Sequence, residues 1–417
     1  MPKLRVGLVG YGYAAGLHMP GFQALGPDRC EVVAVCGRSK GRAQDFADRY
    51  GIPRAFESFQ EMAEGVDFEV ADLAVPNHLH TRFALEAAHA GKHIICEKHL
   101  TGYFGEPRGI GGRGVIHHAQ GAMNCAPAGE LIGKTVPKQR MLERVVEECS
   151  QIGDAITSAG VRFGYAENWV YAPSFVKLRR LADAAGGTIM RIEAEESHSG
   201  SPSVYAKRWQ TAGGGSLVLK GAHPLAAVLH LKQWEGERKF NRPIRPKSVV
   251  CEVGNLTWIE AFKAEPKHYL KTDWQDVEDW GIMVLTFEDG SVAEIKAGDT
   301  TLGGVHNYLE AYLSNARLRA NMNPNNACVA YAPSSDIFAD EYISEKIETK
   351  GGWTFPSPDE HWAQGYLQEI ADIITAIAEN REPISGFPLA RDTAVVLYAA
   401  YVSAEEGRRV DVGAALA

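Results

Sequence analysis

The stretch LRVGLVGYGYAAGLH, Leu4–His18, decides the fold of this chain. It begins as a short apolar run, typical of a buried strand, and the run ends in glycine. Gly10 and Gly12 then separate this strand from a segment with helical character, because glycine allows the tight turn that joins the two. A strand, a tight turn and a helix in this order predict the start of an α/β domain.

Three further apolar runs follow within the first hundred residues. Continuous β-branched runs, rather than alternating ones, are typical of parallel strands that helices cover on both faces. The runs are EVVAVCG (Glu31–Gly37), VADLAVP (Val70–Pro76) and KHIICE (Lys92–Glu97). Between the last two, Leu79, Phe83 and Ala87 repeat every four residues, which indicates a helix. Strands that alternate with helices predict a doubly wound sheet.

Composition excludes several classes of function. The formal net charge of -9 argues against a nucleic-acid partner, which requires a basic face. No apolar run approaches the ~18 residues of a membrane span, and the N-terminus lacks the pattern of a secretory signal. The seven cysteines show no CxxC pair, so we expect reduced thiols and a cytoplasmic protein. His117, His118 and Cys125 have no recognisable ligand spacing, so we expect no metal site.

The turn after the first strand predicts a dinucleotide cofactor. Gly10-x-Gly12-x-x-Ala15 lies between a strand and a helix. The second glycine lets the backbone approach a pyrophosphate, the small third residue allows close helix–strand packing, and the helix N-terminus attracts the anion. We expect Tyr13 and Ala14, at the start of the helix, to border the cofactor as well. The alternative is a purely structural βα turn.

The end of the second strand bears on the choice between NAD and NADP. An acidic residue there would bind the ribose hydroxyls of NAD. This sequence has Gly37-Arg38-Ser39-Lys40 instead. The planar guanidinium of Arg38 suits a 2′-phosphate, so NADP is favoured over NAD. The alternative is that Arg38 is a solvated surface residue and NAD binds without an acidic partner.

The chain divides into two predicted domains. An α/β Rossmann dinucleotide-binding domain covers residues 1–160, with a Gly-rich insertion of no clear period at about 101–137. An α+β domain with a large, mostly antiparallel sheet covers 161–417. Met283, Leu285 and Phe287 alternate before an Asp289-Gly290 turn, which predicts a hairpin. Two helices are predicted at the end of the chain. The first carries an apolar stripe, and the second covers about 390–405. The stripe consists of Trp362, Tyr366, Ile370, Ile374 and Ile377.

Lys98 is a candidate catalytic residue because of its position. Ligands of an open parallel sheet bind outside the carboxyl ends of its strands, and Lys98 follows such a strand. If the predicted dinucleotide accepts a hydride from a carbinol, a further group must take the hydroxyl proton. A partly desolvated lysine can share that role or donate a hydrogen bond to the developing carbonyl. The alternative is that its ammonium only neutralises Glu97 or the cofactor phosphates.

His223 and Lys220 form a second candidate pair. The unperturbed imidazole suits acid–base work near neutral pH. On a helix, residues three apart share a face, so both side chains could line one pocket wall. Pro224 requires that this helix either kinks there or begins near His223. The alternatives are a buried core histidine and a solvated lysine.

The chain resembles the Gfo/Idh/MocA family of sugar and cyclitol oxidoreductases. Pro76, Asn77 and His80 match the family's TPxxxH-like turn, and Glu97 and Lys98 match its E-K-P, with His99 in place of proline. AGGGSLVLKGAHPL is similar to its GGGxxxDxGxH segment. The matching residues there are Gly213, Gly214, Gly215, Gly221 and His223, whereas the family's aspartate falls on Leu219.

The resemblance implies transfer of hydride between NAD(P) and a secondary hydroxyl or ketone of a sugar, glycoside or cyclitol, with Lys98 and His223 handling the proton. It also implies that Pro76, Asn77, His80 and Glu97 border the cofactor, and that Lys220 replaces the missing aspartate as a substrate contact. By analogy we expect a homodimer or homotetramer. Aromatic and hydrogen-bonding groups suit a polyol, which makes Trp169, Tyr171 and His198 further candidate substrate contacts.

Two other functions are compatible with the same residues. Some relatives oxidise a sugar hydroxyl transiently, eliminate the aglycone and reduce the product again, which makes them redox-assisted glycosidases. The missing aspartate and the altered E-K-P also allow a cofactor-binding regulator without catalysis. Retention of Lys98 and His223 argues against the regulator.

Overall fold

The computed structural model describes residues 2–106, 130–323 and 326–416. A six-stranded sheet forms the N-terminal part, in the order β3-β2-β1-β4-β5-β6, and each neighbouring pair is parallel. Its strands are β1 Leu4–Val9, β2 Cys30–Cys36, β3 Ala55–Phe56, β4 Val70–Leu73, β5 His93–Glu97 and β6 Phe163–Ala166. The predicted doubly wound parallel sheet is therefore confirmed.

Helices cover both faces of this sheet, which explains why its central strands are apolar on both sides. They are α1 Tyr13–Leu25, α2 Lys40–Tyr50, α3 Phe59–Gly65, α4 His80–His89 and α6 Lys138–Ala159. The short helix α5 Ile132–Thr135 instead lies beside Trp209 and Asp276 of the second part. All four residues of β4 are buried.

The predicted boundary at residue 160 cuts through this sheet. Strand β6, Phe163–Ala166, pairs with β5 and completes the parallel order. The prediction places all of β6 in the second domain. The long helix before β6, α6, ends at Ala159, and Gly160 after it adopts a left-handed conformation. A helix end marks a turn, and here the chain returns to the same sheet after the turn.

The second part of the chain forms a seven-stranded mixed sheet in the order β12-β11-β7-β10-β9-β8-β15. Its neighbours are antiparallel except for the parallel pair β7 and β10. The strands are β7 Ile189–Ser197, β8 Pro246–Gly254, β9 Trp280–Phe287, β10 Val292–Gly298, β11 His306–Leu313, β12 Arg317–Asn323 and β15 Val410–Asp411; a separate pair comprises β13 Ala330–Ala332 and β14 Gly352–Thr354. The prediction of a large, mostly antiparallel sheet is confirmed.

The helices of this part either lie on one face of the mixed sheet or pack back against the first part of the chain. They are α7 Pro173–Ala185, α8 Trp209–Ala212, α9 Ser216–Leu219, α10 Ala222–Phe240, α11 Glu260–Lys263, α12 Glu360–Gln364, α13 Tyr366–Ala378, α14 Phe387–Glu406 and α15 Gly413–Leu416. The predicted hairpin is β9–β10: Met283, Leu285 and Phe287 are buried on one face, and Gly290 has a φ of 86°.

The predicted apolar stripe from Trp362 to Ile377 is wrong at its first member. Gly365, with a φ of 93°, ends α12 and starts α13, so Trp362 lies on a separate short helix and is half exposed. Helix α13 packs on α1, where a Cβ on Gly21 would lie 2.8 Å from Ile370. The C-terminal part therefore reaches back to the helix that follows the first strand.

Most of the predicted Gly-rich insertion, including His117, His118 and Cys125, lies outside the described residues. The six cysteines that the structure does describe are free thiols. Among the described residues, no helix combines the length and apolarity needed to cross a membrane, and no group of three His, Cys, Asp or Glu side chains is arranged to hold a metal ion.

Candidate active site

The turn after β1 has the geometry of a phosphate-binding loop. Gly10 has a φ of 107°, and a Cβ there would lie 2.1 Å from the carbonyl oxygen of Ala74, so only glycine fits. A Cβ on Gly12 would meet no atom within 4 Å, so its backbone faces open space. Gly12 precedes α1, whose first turn is capped by no side chain of the described ranges.

The residues of this loop therefore fit a pyrophosphate. Uncapped N–H groups at a helix N-terminus bind anions, and Gly12 leaves the approach open. Ala15 is fully buried, which allows α1 to lie close to the sheet. Tyr13 is 72% exposed, so its ring lies at the rim of the loop rather than in the core. Ala14 is intermediate in burial between Tyr13 and Ala15.

The end of β2 presents the predicted Gly37-Arg38 pair. A Cβ on Gly37 would lie 2.4 Å from the ring of Tyr11, so glycine allows the loop after β1 to pack here. Arg38 is exposed. No hydrogen bond or ion pair engages its guanidinium within the described ranges, so the side chain is free to contact a ligand.

The turn after β4 carries Pro76, Asn77 and His80. Pro76 precedes the short helical turn Asn77–Leu79. The side chain of Asn77 does not cap helix α4; its amide lies 3.4 Å from both His99 Nδ1 and the carbonyl oxygen of Ala212. Asn77 therefore connects the first sheet to the second part of the chain.

His80 contributes to the fold around the site. It is fully buried, and its two ring nitrogens lie 2.8 Å from the His99 carbonyl oxygen and 3.0 Å from that of Val75. Burial lowers the pKa of His80. Its side chain thus joins the end of β4 to the turn that follows Lys98 and contributes to the site by holding that turn.

Lys98 reaches from the first sheet to the second part of the chain. It directly follows β5, and its Nζ donates a hydrogen bond of 2.7 Å to the carbonyl oxygen of Leu219. The Lys98–His99 peptide bond is cis. Leu219 ends α9, one residue before Lys220 and four before His223. The structure therefore brings the candidate lysine to the segment that carries the candidate histidine, 121 residues along the chain from Lys98 to Leu219.

Glu97 points away from the role predicted for it. Its carboxylate accepts a hydrogen bond from the Lys98 backbone N–H and lies 3.2 Å from His18 Nε2. The other ring nitrogen of His18 lies 3.0 Å from the buried carboxylate of Asp72. Burial opposes a charge on His18, but Asp72 and Glu97 hold its pKa well above the usual value. Glu97 therefore belongs to a buried charged group that joins α1, β4 and β5, and the prediction of a direct cofactor contact has no support from its position.

A glycine-rich segment, Gly213–Leu217, precedes the second pair of candidates. The carboxylate of Glu278 accepts hydrogen bonds from the backbone N–H groups of Gly215 and Leu217 at 3.2 and 2.9 Å. The Tyr401 hydroxyl donates to the same carboxylate at 2.8 Å. Because a Cβ on Gly215 would lie 2.0 Å from the Glu278 carbonyl oxygen, the close approach requires glycine.

Lys220 and His223 do not share one helix. Helix α9 ends at Leu219, and Lys220 is its C-cap. Helix α10 starts at Ala222, so Pro224 falls in its first turn, where proline is tolerated. The predicted common helix face is wrong for this reason. The alternative that a helix begins near His223 is confirmed.

His223 pairs with a carboxylate. Its Nδ1 lies 2.7 Å from Glu167 Oε1, and its ring stacks on Trp169 with the ring centres 6.1 Å apart. Glu167 is fully buried and directly follows β6. The arrangement leaves Nε2 of His223 for another partner and fixes the plane of the ring.

Lys220 is also paired. Its Nζ lies 2.8 Å from the carboxylate of Asp299, which follows β10 and accepts further hydrogen bonds from Ser216 and Ser201. His198 Nδ1 accepts from the Gly200 N–H at 2.9 Å. Burial and the Lys220 charge keep the pKa of His198 well below its usual value. Lys220 and His198 thus lie close together in a buried polar cluster beside the segment that Lys98 contacts.

The two aromatic candidates differ in position. Trp169 contacts the His223 ring directly. The Tyr171 hydroxyl donates to Asp372 and accepts from the Ser385 N–H, both at 2.9 Å. Since the Tyr171 hydroxyl both donates and accepts a hydrogen bond within the fold, to α13 and from the segment after it, a substrate contact by this hydroxyl has no support from its position.

Sequence reasoning missed Glu167, Asp299 and the His18–Asp72 pair. Glu167 could have been found, because it follows a strand of the parallel sheet just as Lys98 does. Asp299 follows a strand of the mixed sheet, for which no such rule exists. Asp72 lies inside an apolar strand, and its pairing with His18 is visible only once the structure shows both side chains buried together.

Comparison with known proteins identifies similarity in the first part of the chain. Residues 4–105 match the family model described as an oxidoreductase family with an NAD-binding Rossmann fold. Levoglucosan dehydrogenase of Pseudarthrobacter phenanthrenivorans is 36% identical over 24% of this chain and 27% of its own length. Trans-1,2-dihydrobenzene-1,2-diol dehydrogenase of Oryctolagus cuniculus is 28% identical over 51% of this chain and 52% of its own length. The chain thus spans about a quarter to a half of these curated relatives.

Solved structures share the fold over nearly the whole chain. GenD2 from gentamicin A biosynthesis, in complex with NAD, has a TM-score of 0.76 at 21% identity and covers 99% of this chain and 97% of its own. Scyllo-inositol dehydrogenase from Lactobacillus casei, with NAD(H) and scyllo-inositol, has a TM-score of 0.70 at 16% identity over 98% and 99% of the two chains. At these identities the likeness shows the fold. Through its matched residues 4–105, this chain is similar to the Gfo/Idh/MocA family of NAD-binding oxidoreductases.

Proposed function

We propose that this protein is an NAD(P)-dependent oxidoreductase acting on a secondary hydroxyl or ketone of a sugar, glycoside or cyclitol. The observation that carries the proposal is the hydrogen bond between Lys98 Nζ and the Leu219 carbonyl oxygen. It places the lysine at the carboxyl end of β5 beside the segment that carries His223. Ligands of such sheets bind at this edge, next to the glycine-rich turn.

Each residue has a separate role in the proposed reaction. The glycine-rich turn after β1 holds the pyrophosphate, and the bound nicotinamide supplies the hydride chemistry. Lys98 donates a hydrogen bond to the substrate oxygen, which stabilises its developing charge. His223 takes or returns the hydroxyl proton through Nε2. Lys220, with its charge balanced by Asp299, and His198 provide polar contacts for further hydroxyl groups.

The substrate class rests on two kinds of support. The segment that Lys98 contacts lies beside a cluster of hydrogen-bonding groups, Lys220, His198 and Ser216, that suit a polyol. Relatives are named for levoglucosan and for a cyclic diol, and a structure of the same fold holds scyllo-inositol. A cyclic compound with neighbouring hydroxyl groups is common to all of them.

The purified protein should therefore reduce NAD or NADP when it is mixed with a panel of scyllo-inositol, myo-inositol, levoglucosan and D-glucose. The measurement is the absorbance of the reduced nicotinamide over time, with each polyol omitted as the control. Accumulation of reduced cofactor with one or more members supports the dehydrogenase. Its absence with all of them, in a protein shown by calorimetry to bind the dinucleotide, would contradict the proposal.

A parallel assay with p-nitrophenyl glycosides separates the redox-assisted glycosidase. That enzyme would release nitrophenol without net accumulation of reduced cofactor, because the product is reduced again. Cofactor binding without turnover in either assay would favour the regulator.

We further propose a cytoplasmic homodimer or homotetramer that binds neither nucleic acid nor membranes. The exposed face of the mixed sheet supports self-association: Met190 on β7 is 52% exposed there. Light scattering on the eluting peak of a size-exclusion column measures the mass, and a monomer at micromolar concentration would contradict the assembly.

A further inference from the structure

We propose that Glu167 is the positioning residue of His223: it keeps the ring proton on Nδ1, directs Nε2 to the substrate and stabilises the imidazolium that forms during the reaction. This inference rests on the proposed function. It assigns a role to a residue that follows β6, a different element from those that carry Lys98 and His223.

The contact has the geometry of a carboxylate–histidine pair. Glu167 Oε1 lies 2.7 Å from His223 Nδ1, and both side chains are at least nine-tenths buried. The parallel ring of Trp169, whose planes differ by 11°, limits rotation of the imidazole. The Trp169 N–H donates to the same carboxylate oxygen at 3.4 Å, so the strand end holds the carboxylate in place. Since an ionised carboxylate only accepts, the proton of this contact belongs to Nδ1.

The second oxygen of Glu167 identifies His223 as its main partner. Oε2 is buried and has no hydrogen-bond partner within the described ranges. An unpaired oxygen on a buried carboxylate is costly, and a charge on the neighbouring imidazole offsets that cost. A purely structural carboxylate would be expected to use both oxygens.

Neighbouring titratable groups leave the Glu167 charge to act on His223. Burial raises the pKa of Tyr165 and of Glu369 well above their usual values, which favours the neutral form of both. The Lys220 ammonium is neutralised by Asp299, and the Lys98 ammonium is directed at the Leu219 carbonyl oxygen. Leu219, four residues before His223, offers no carboxylate of its own.

The proton balance then defines the role. In the oxidative direction the substrate O–H bond breaks, and Nε2 of His223 takes the proton. The ring becomes an imidazolium beside the Glu167 carboxylate. A partner that remains ionised favours this charge and strengthens the base, as in other carboxylate–histidine pairs.

Nitrogen NMR of the NAD-bound protein, labelled with ¹⁵N-histidine, tests the tautomer without any substrate. His223 is assigned from the signals missing in His223→Gln. We expect the neutral ring to carry its proton on Nδ1 in the wild type. A neutral ring protonated on Nε2 would overturn the inference, whatever the activity of the enzyme.

A pH profile of kcat/KM tests whether the negative charge of Glu167 acts on His223. With the polyol that the panel identifies, Glu167→Gln should lower kcat by about 10- to 100-fold while KM changes little, because the general base is weakened. The acidic limb should move to lower pH by about one unit. Glu167→Asp should recover part of both. Glu69→Gln is the matched control: Glu69 pairs with Arg5 at the opposite edge of the same sheet, and its profile should equal that of the wild type.

The outcomes separate the two proposals. No reduced nicotinamide from wild-type protein with any polyol would overturn the proposed function, and the tautomer would still test the Glu167 contact. Normal wild-type turnover with an unmoved acidic limb in Glu167→Gln would overturn the positioning role alone. A fall in melting temperature without a moved limb would show that Glu167 only supports the fold.

Discussion

At the scale of single residues, Lys98 carries the largest share of the proposed chemistry. Its ammonium is held by one hydrogen bond to a backbone carbonyl, at the point where the two parts of the chain meet. A group in this position can leave the carbonyl oxygen and contact a substrate oxygen instead. Lys98→Met should therefore lower kcat by about 10²- to 10⁴-fold, the range for one acid–base group, and leave dinucleotide binding measurable by calorimetry.

The chain offers a matched control for this substitution. Lys92 also donates to a backbone carbonyl, that of Phe68 at 2.8 Å, but it precedes β5 at the opposite edge of the sheet. Lys92→Met should keep the wild-type kcat. Equal rates for the wild type and Lys98→Met would end the catalytic assignment of Lys98.

Arg38 belongs to the same scale, because its effect depends on one side chain at the end of β2. If its exposed guanidinium holds a 2′-phosphate, Arg38→Ala should raise KM for NADP about tenfold or more and leave KM for NAD nearly unchanged. Arg49→Ala, in the last turn of α2, is the control. Equal changes for both cofactors would contradict a 2′-phosphate contact and favour NAD.

At the scale of elements, the segment Gly213–Leu217 fixes the position of the chain just before His223. A methyl group at Gly215 would overlap the Glu278 carbonyl oxygen, a backbone atom that a side-chain rotation cannot move. Gly215→Ala should lower the free energy of unfolding by about 1–3 kcal/mol, the usual cost of overpacking, as measured in denaturant. Gly41→Ala in α2, where a Cβ meets nothing within 4 Å, should be neutral or slightly stabilising.

Glu278 should make this segment sensitive to pH. Burial raises its pKa from 4.5 to about 7, so the folded protein binds this proton more tightly than the unfolded chain. The resulting stabilisation is complete below pH 4.5 and is lost as the pH rises toward 7, by about 3 kcal/mol at most. Glu278→Gln removes this titration.

Melting temperatures of the wild type and Glu278→Gln, recorded between these pH values, measure the effect. The stability of the wild type relative to the variant should fall as the pH rises. A difference between the two proteins that stays constant with pH would show that Glu278 is ionised throughout, held by its three hydrogen-bond donors.

The elements also show what the sequence could predict. Continuous β-branched runs identified β1, β2, β4 and β5, because strands covered on both faces need apolar side chains on both. Helix breaks that depend on single residues were harder to predict. Gly365 divides α12 from α13, and Lys220 and His223 fall on either side of a helix start, since a periodic pattern continues through such breaks.

Contacts between distant residues were beyond local patterns. Lys98 and Leu219 are 121 residues apart, and Glu167 and His223 are 56 apart. The carboxyl-edge rule predicts which residues face the site of a parallel sheet, and it selected Lys98. It does not predict which carboxylate pairs with which base, because that depends on how the second part of the chain packs on the first.

At the scale of the whole molecule, the site depends on a chain that returns to its start. Helix α13 packs on α1, and β6 completes the first sheet after a long helix. Both contacts hold the second part of the chain against the elements beside the glycine-rich turn after β1. As a result, Lys98 at the end of β5 lies beside the segment that leads to His223 at the start of α10.

The most direct test of this account is a crystal structure of the complex with NAD(H) and the polyol that the panel identifies. We expect Lys98 Nζ and His223 Nε2 to lie within about 3.5 Å of the same substrate oxygen, the limit for a hydrogen bond. A substrate oxygen that contacts neither group, with the polyol bound and the nicotinamide beside it, would contradict the central claim.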